Sequence, residues 1–292
     1  MPSSSQVGVE KVGVVGAGLM GAEIALVFAL AGHPVVLTDR AGDTLAAAME
    51  RLRRQLVKGI ERGVYREEDS EAVTSRLTTT LSLEAFADCA FVTEAVFEDL
   101  EVKHAILREL DRICASHCVL ASNTSTIPIS TLAAAVSPAR RPKVIGTHYF
   151  SPVSRMKLVE VISSFDTDDA TVELAIRLCT AVGKTAIRVK DVAGFAVNRV
   201  LHAFLIEAVR LVEEGVATVE DIDIACRLGL GHPLGPFELM DATTSSLCLQ
   251  AQEIMFDAYG ERFRPRPLLK QRVQAGLVGG KRAEGWRRRC KS

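Results

Sequence analysis

KVGVVGAGLMGAEIALVFALAGHPVVLTD, residues 11–39, decides the fold. Its first part, KVGVVGA (11–17), is a short β-branched apolar run of the kind that makes a strand buried on both faces. LMGAEIALVFALAG (19–32) has helical length and stops at Gly32, and PVVLTD (34–39) is a second strand ending on an acid. Between the first strand and the helix stands Gly16-Ala17-Gly18-Leu19-Met20-Gly21, a G-x-G-x-x-G loop in the strand–turn–helix setting that a dinucleotide site requires. The first glycine permits a tight turn, the second lets backbone approach a pyrophosphate, and the third lets helix and strand pack closely. Free N–H groups at the helix N-terminus then face the phosphates. Asp39 lies at the spacing of about 20 residues at which an acid accepts from a ribose 2′-hydroxyl. Its charge repels a 2′-phosphate, which points to NAD, although Arg40 beside it offers a phosphate partner instead.

Outward from this unit the alternation continues. A charged helix is predicted over roughly 42–62 and a second after Glu67. Strands are predicted at CAFVTEA and CVLASN, flanking a helix from Leu100 to Ser116. KVIGTHYF and MKLVEVI read as strands, followed by a helix over 168–182 and a strand TAIRVK. Strands alternating with helices predict a parallel sheet with helices on both faces. After Asp191 the strand patterns stop. The stretch from Gly194 to Glu214 reads as one helix, Thr218 offers an N-cap for another, and GHPLGP is a loop. The expected architecture is therefore an α/β Rossmann-like domain over 1–190 and a smaller all-α domain over 191–292.

Composition limits the function. The 292 residues are 48% hydrophobic with a formal net charge of −1, so no global field draws the chain to nucleic acid or a membrane surface. The longest apolar run, Phe195 to Val212, is interrupted by Arg199, His202, Glu207 and Arg210, which argues against a membrane span. The start MPSSSQVGVEK has neither the charged nor the apolar region of a signal peptide. The seven cysteines are scattered in apolar runs without zinc-like spacing, and they read as reduced thiols of a cytoplasmic protein. The tail, with Arg287, Arg288 and Arg289, reads either as a solvated end or as a phosphate contact.

GTHYFSPVSRMKLVEV, residues 146–161, holds the candidate chemistry. Hydride leaves a carbinol carbon only as the hydroxyl proton is removed, and histidine suits that task near neutral pH. His148 and Glu160 fall on neighbouring predicted strands across a proline-containing loop. A carboxylate on the far ring nitrogen would fix the tautomer. On spacing alone, a satisfied strand-end histidine and a solvated glutamate remain an equal reading.

GVVGAGLMGAEIA, EAVFEDLEVK, ASNTS, THYFSPV…MKLVEV, GFAVNR and LGHPLGPFELMD occur in the order found in the short-chain L-3-hydroxyacyl-CoA dehydrogenases, which include bacterial 3-hydroxybutyryl-CoA dehydrogenases. The chain resembles that family over residues 10–286. The resemblance implies NAD as cofactor, an acyl-CoA-type substrate, a helical domain that dimerises, and reversible oxidation of an L-3-hydroxyacyl thioester. It implies His148 as base, Glu160 as its orienting partner, and Ser125 and Asn198 as donors to substrate oxygens. Glu98 and Lys103 are assigned to the nicotinamide half of the cofactor, with Ser151 beside it and Lys281 reaching it from the C-terminal end. From the residues alone, Glu98, Lys103 and Lys281 read as surface charges. Arg51, Arg53, Arg54 and Lys58, on the helix where the family binds CoA, are candidate phosphate partners or a solvated face.

The chain also departs from the family pattern. Ser151 stands where the family has Asn. Ser154 and Arg155 replace an apolar pair, TTSS (243–246) replaces V-G-L-D, and the closing K-T-G-x-G-[FW]-Y becomes KRAEGWRR. These departures leave the acyl group open. They also leave room for the same chemistry on an acyl-carrier-protein substrate or on a free hydroxy acid, as in gulonate dehydrogenases. A non-catalytic NAD-binding protein, as among lens crystallins, is opposed by the complete set of catalytic residues.

Overall fold

In the computed structural model, which describes residues 8–280 and 283–287, the chain divides into two compact units, Met1–Val192 and Ala193–Ser292. In the first unit β1 (Val12–Val15) leads to α1 (Leu19–Leu30), β2 (Val35–Thr38), α2 (Gly42–Glu61), α3 (Glu67–Arg76) and β3 (Leu77–Thr80). Then come β4 (Phe91–Glu94), α4 (Leu100–Ile113), β5 (Val119–Ser122), α5 (Ile129–Ala133) and β6 (Val144–Tyr149). The unit closes with β7 (Leu158–Ser163), α6 (Asp169–Ala181) and β8 (Thr185–Lys190). The strands form one sheet in the order β3-β2-β1-β4-β5-β6-β7-β8. The order reverses between β1 and β4, and such a switch point opens a crevice at the strands' carboxyl ends.

β1 shows why the sheet is covered on both faces. Side chains alternate along a strand. Val12 and Val14 join the core cluster that also contains residues of α1, α2, α3 and α6. Gly13 points the other way, where an added Cβ would fall 2.5 Å from the Phe86 ring. All four residues of β1 are buried, as the apolar run predicts.

The sheet is not parallel throughout, and here the sequence expectation is corrected. β7 runs antiparallel to β6. A parallel partner needs a crossover of about a dozen residues or more, and the connecting residues 150–157 are too few. Two elements escaped the sequence reading. β3 (LTTT) carries one leucine and lies at the sheet edge. α5 is five residues long, and its first N–H groups are satisfied by Asp191, whose carboxylate accepts from Ile129 N and Ser130 N at 2.7 Å each. The helix expected to reach Ser116 ends at Ile113, because Cys114 is extended.

The second unit contains α7 (Val197–Glu213), α8 (Val219–Gly229), α9 (Pro236–Thr243), α10 (Ser245–Tyr259) and α11 (Pro267–Gln274). The helix expected from Gly194 starts three residues later, because Gly194 and Phe195 both have positive φ, 73° and 45°. Thr218 caps α8 as expected, accepting from Asp221 N at 3.1 Å. The core gathers Leu205, Val209, Ile222, Phe237, Met240 and Trp286. Buried Asp223 accepts from Phe237 N (2.9 Å) and Glu238 N (3.2 Å) and so closes the start of α9. The TTSS segment is a helix junction here. Thr244 caps α10, and buried Ser245 accepts from Trp286 Nε1 at 2.9 Å. Among the described residues no helix is long and apolar enough to cross a membrane.

Candidate active site

The glycine loop gives each glycine a separate physical reason. Gly16 has φ +101°, and a Cβ there would meet Ala95 O at 2.7 Å. A Cβ on Gly21 would lie 1.9 Å from Gly16 O, so only glycine lets α1 pass the loop. A Cβ on Gly18 would meet nothing within 4 Å, which leaves that backbone open to an approaching ligand. Gly18 is also the N-cap of α1 and offers no side-chain acceptor. Leu19 is exposed and Met20 half-buried beside the open N–H groups. Asp39 is half-buried just past β2, and its Oδ2 accepts from Ala17 N at 2.8 Å. The acid thus braces the loop while keeping acceptor capacity for a ribose. Arg40 is exposed. Arg51 Nη2 donates to Gly18 O (2.9 Å) and Ala17 O (3.3 Å), so Arg51 supports the loop from α2.

The turn after β5 is built on carboxylates. Glu98 accepts from Ser125 N (2.9 Å), Thr126 N (3.0 Å) and Thr126 Oγ1 (2.9 Å), and also from the Thr124 hydroxyl. Burial alone would raise the Glu98 carboxyl, but the Lys103 ammonium and these donors outweigh it and hold the group below the ordinary carboxylate value. Lys103 is no surface charge. It is 1% exposed and donates to Glu94 Oε1 (2.8 Å) and Oε2 (3.0 Å), with Glu98 Oε2 at 3.3 Å. Glu94, which sequence reasoning missed, also accepts from Ser122 Oγ (2.6 Å) and Val96 N (2.7 Å). Its only sequence signal is an acid closing an apolar strand. Lys103 therefore ties β4 to the start of α4, and Glu98 fixes the turn that carries Ser125.

His148 and Glu160 are directly opposed in the antiparallel β6–β7 register. His148 Nδ1 lies 2.8 Å from Glu160 Oε2, and Glu160 is 0% exposed. A carboxylate accepts only, so Nδ1 carries the proton and Nε2 is the acceptor. Ser125 Oγ stands 3.0 Å from Nε2, where its hydroxyl donates. The Phe150 ring, 4.6 Å from the imidazole, covers one side. Ser125, His148 and Glu160 thus form one hydrogen-bonded line that includes the half-buried Ser125 hydroxyl. Ser151 is exposed beyond β6, and Asn198 lies in the first turn of α7 in the second unit. Lys281, Arg288 and Arg289 lie outside the described residues. Among the described residues no group of three metal-ligating side chains is present.

Arg51, Arg54 and Lys58 line a cleft of about 500 Å³ together with Arg62, Glu23, Tyr65 and Arg155. Arg53 does not join them and pairs with Glu50 at 2.9 Å.

Residues 11–192 match the family model for the 3-hydroxyacyl-CoA dehydrogenase NAD binding domain, and residues 194–289 match the model for the 3-hydroxyacyl-CoA dehydrogenase C-terminal domain. The chain belongs to the 3-hydroxyacyl-CoA dehydrogenase family. It is 39% identical over 279 residues to a 3-hydroxybutyryl-CoA dehydrogenase of Bradyrhizobium diazoefficiens, covering 95% of this chain and 94% of that one. It is 37% identical over 293 residues to the mitochondrial hydroxyacyl-coenzyme A dehydrogenase of Sus scrofa, covering 97% and 92%. The crystal structure of (S)-3-hydroxybutyryl-CoA dehydrogenase from Ralstonia eutropha superposes with a TM-score of 0.93 at 34% identity, covering 97% of this chain and all of that one. The glycine loop, the open Gly18 and braced Asp39 therefore belong to the family's NAD-binding domain, and NAD is its cofactor.

Proposed function

We propose that the protein interconverts an L-3-hydroxyacyl-CoA and the 3-ketoacyl-CoA, with His148 as general base. The observation that carries this reading is the Ser125–His148–Glu160 line, with contacts of 3.0 and 2.8 Å. In the oxidising direction the substrate hydroxyl gives its proton to His148 Nε2, the atom now facing Ser125. Glu160 stabilises the imidazolium that forms and keeps the ring in the required tautomer. Ser125 Oγ donates to the substrate oxygen, and the Glu98-anchored turn holds it there. The family resemblance assigns Asn198 as a second donor to the substrate. Gly16, Gly18, Gly21 and Asp39 hold NAD, which supplies the hydride acceptor when bound. Charge development is met by groups already in place, which is where such sites gain most of their rate.

The same reading takes the protein to be a cytoplasmic homodimer. The support for the dimer is the exposed apolar surface of the second unit, where Val200 and Leu228 are 74% and 84% exposed. The test is NADH consumption with 3-ketoacyl-CoAs of several chain lengths, run beside free keto acids, for wild type and His148→Gln. The expectation is turnover of the thioesters and a loss of roughly 10²-fold or more in His148→Gln with NAD binding retained. Near-normal turnover by the variant would remove His148 from the role.

A further inference from the structure

The cleft beside the glycine loop has two cationic walls. α2 and the turn after it supply Arg54, Lys58 and Arg62, and the loop leaving β6 supplies Arg155 opposite. The one carboxylate in the lining, Glu23, is already engaged by Ser154 N at 3.1 Å. Within α2, Arg53 and Arg54 both pair with Glu50, at 2.9 and 3.4 Å. Among the described residues, Lys58, Arg62 and Arg155 lie within ion-pair distance of no carboxylate. Like charges gathered around one cleft repel each other until an anion enters.

We infer that Arg155 is a specificity-determining residue that grips a phosphate of the substrate's thioester carrier across the cleft from Lys58 and Arg62. This rests on the acyl-CoA reading above and adds a residue that this chain has where the family pattern is apolar. Three observations carry it. Arg155 lies on the connection 150–157 that leaves β6, the strand carrying His148, so one short loop joins the cleft to the catalytic line. A single substrate carboxylate needs one cation, whereas cations on both walls match a polyanion. Arg155 also borders a second hollow of about 320 Å³, lined by Val27, Leu30 and Val182 with Lys157 and a buried Lys184 that donates to Met156 O at 2.9 Å. That combination suits the apolar ring and phosphate of a nucleotide rather than a bare phosphopantetheine. Guanidinium forks bind phosphate oxygens in pairs.

The experiment compares wild type, Arg155→Met and Arg53→Met on acetoacetyl-CoA and on the N-acetylcysteamine thioester of acetoacetate, which lacks every phosphate. Calorimetry with free CoA is run on the same three proteins. For Arg155→Met the KM for acetoacetyl-CoA and the Kd for CoA should rise about tenfold, the size expected for one charge-assisted contact at an open site. The KM for the truncated thioester should not change. Arg53→Met, whose arginine lies outside the cleft, should match wild type throughout. Equal CoA affinity in wild type and Arg155→Met overturns the inference, as does an equal loss on both thioesters. If wild type reduces neither thioester, the acyl-CoA reading falls, and the calorimetry still decides Arg155.

Discussion

Replacing Glu160 by Gln removes one charge and no volume, which makes it the sharpest probe of the catalytic line. Glu160 is fully buried and accepts from His148 Nδ1 at 2.8 Å. A glutamine there has two settings. With its carbonyl toward Nδ1 the ring keeps its tautomer, but the imidazolium formed in oxidation faces a neutral partner. With its amide N–H toward Nδ1 the proton moves to Nε2, and the base can no longer accept. The first setting alone exchanges a hydrogen bond to a charged group, worth about 1.5–3 kcal/mol, for a neutral one worth about 0.5–1.5 kcal/mol, a difference of roughly 1–1.5 kcal/mol. If that is lost only in the transition state, kcat falls roughly 5- to 12-fold, and the second setting adds to the loss. The assay is steady-state oxidation of L-3-hydroxybutyryl-CoA followed by NADH absorbance, with NAD affinity measured separately. NAD affinity should be unchanged, because Glu160 lies on β7 and the glycine loop on the turn between β1 and α1. A kcat within threefold of wild type would refute the idea that a buried carboxylate stabilises a developing imidazolium here.

Gly18→Ala and Gly21→Ala should separate ligand space from packing. The first should keep the wild-type Tm and weaken NAD, because its Cβ enters open space, while the second should lose stability by about 1–3 kcal/mol or more from overpacking; equal Tm values for the two would contradict the loop geometry. Asp39→Asn should lower kcat/KM for NAD and narrow the NAD/NADP ratio in steady-state kinetics with both cofactors, and an unchanged ratio would shift the ribose role to Arg40. The Glu98 carboxyl is held below its ordinary value in the fold, so its stabilisation is complete above the unfolded-state pKa and is lost as pH falls through the folded one. Glu98→Gln should therefore flatten the acid limb of the Tm–pH curve and slow turnover by loosening Ser125; a parallel acid limb would remove Glu98 from that balance. Ser245→Ala leaves the buried Trp286 Nε1 without its acceptor and should cost about 1–3 kcal/mol in denaturant unfolding.

The parts legible in the sequence are those set by local pattern. Strand, glycine loop, helix and terminal acid in residues 11–39 announce a nucleotide unit because each needs only its neighbours. His148 and Glu160 were legible as candidates, and the family resemblance paired them, but their spacing alone did not. The pairing depends on residues 150–157 being too short for a crossover, which turns β7 around and sets the two side by side. Lys103 misled for a similar reason. A lysine within EDLEVK looks solvated, and only the fold brings Glu94 from β4 and Glu98 to enclose it. Arg155 showed as a departure from the family pattern. Its meaning required the 50s and 150s of the chain to face one cleft, and no local period encodes that.

The antiparallel ladder between β6 and β7 carries one more implication, for how such an enzyme changes over generations. Five backbone pairings from Ile145↔Ser163 to Tyr149↔Val159 lock His148 opposite Glu160, so the chemistry is held by main chain on both sides of the loop and not by the loop itself. Residues 150–157 are thereby released from the task of aligning the base. Their side chains can change while the proton-transfer pair stays in register. Ser151, Ser154 and Arg155, all departures from the family pattern, fall within that segment. If Arg155 grips the carrier as inferred above, the ladder holds the reaction type while the short connection it closes can vary the choice of substrate.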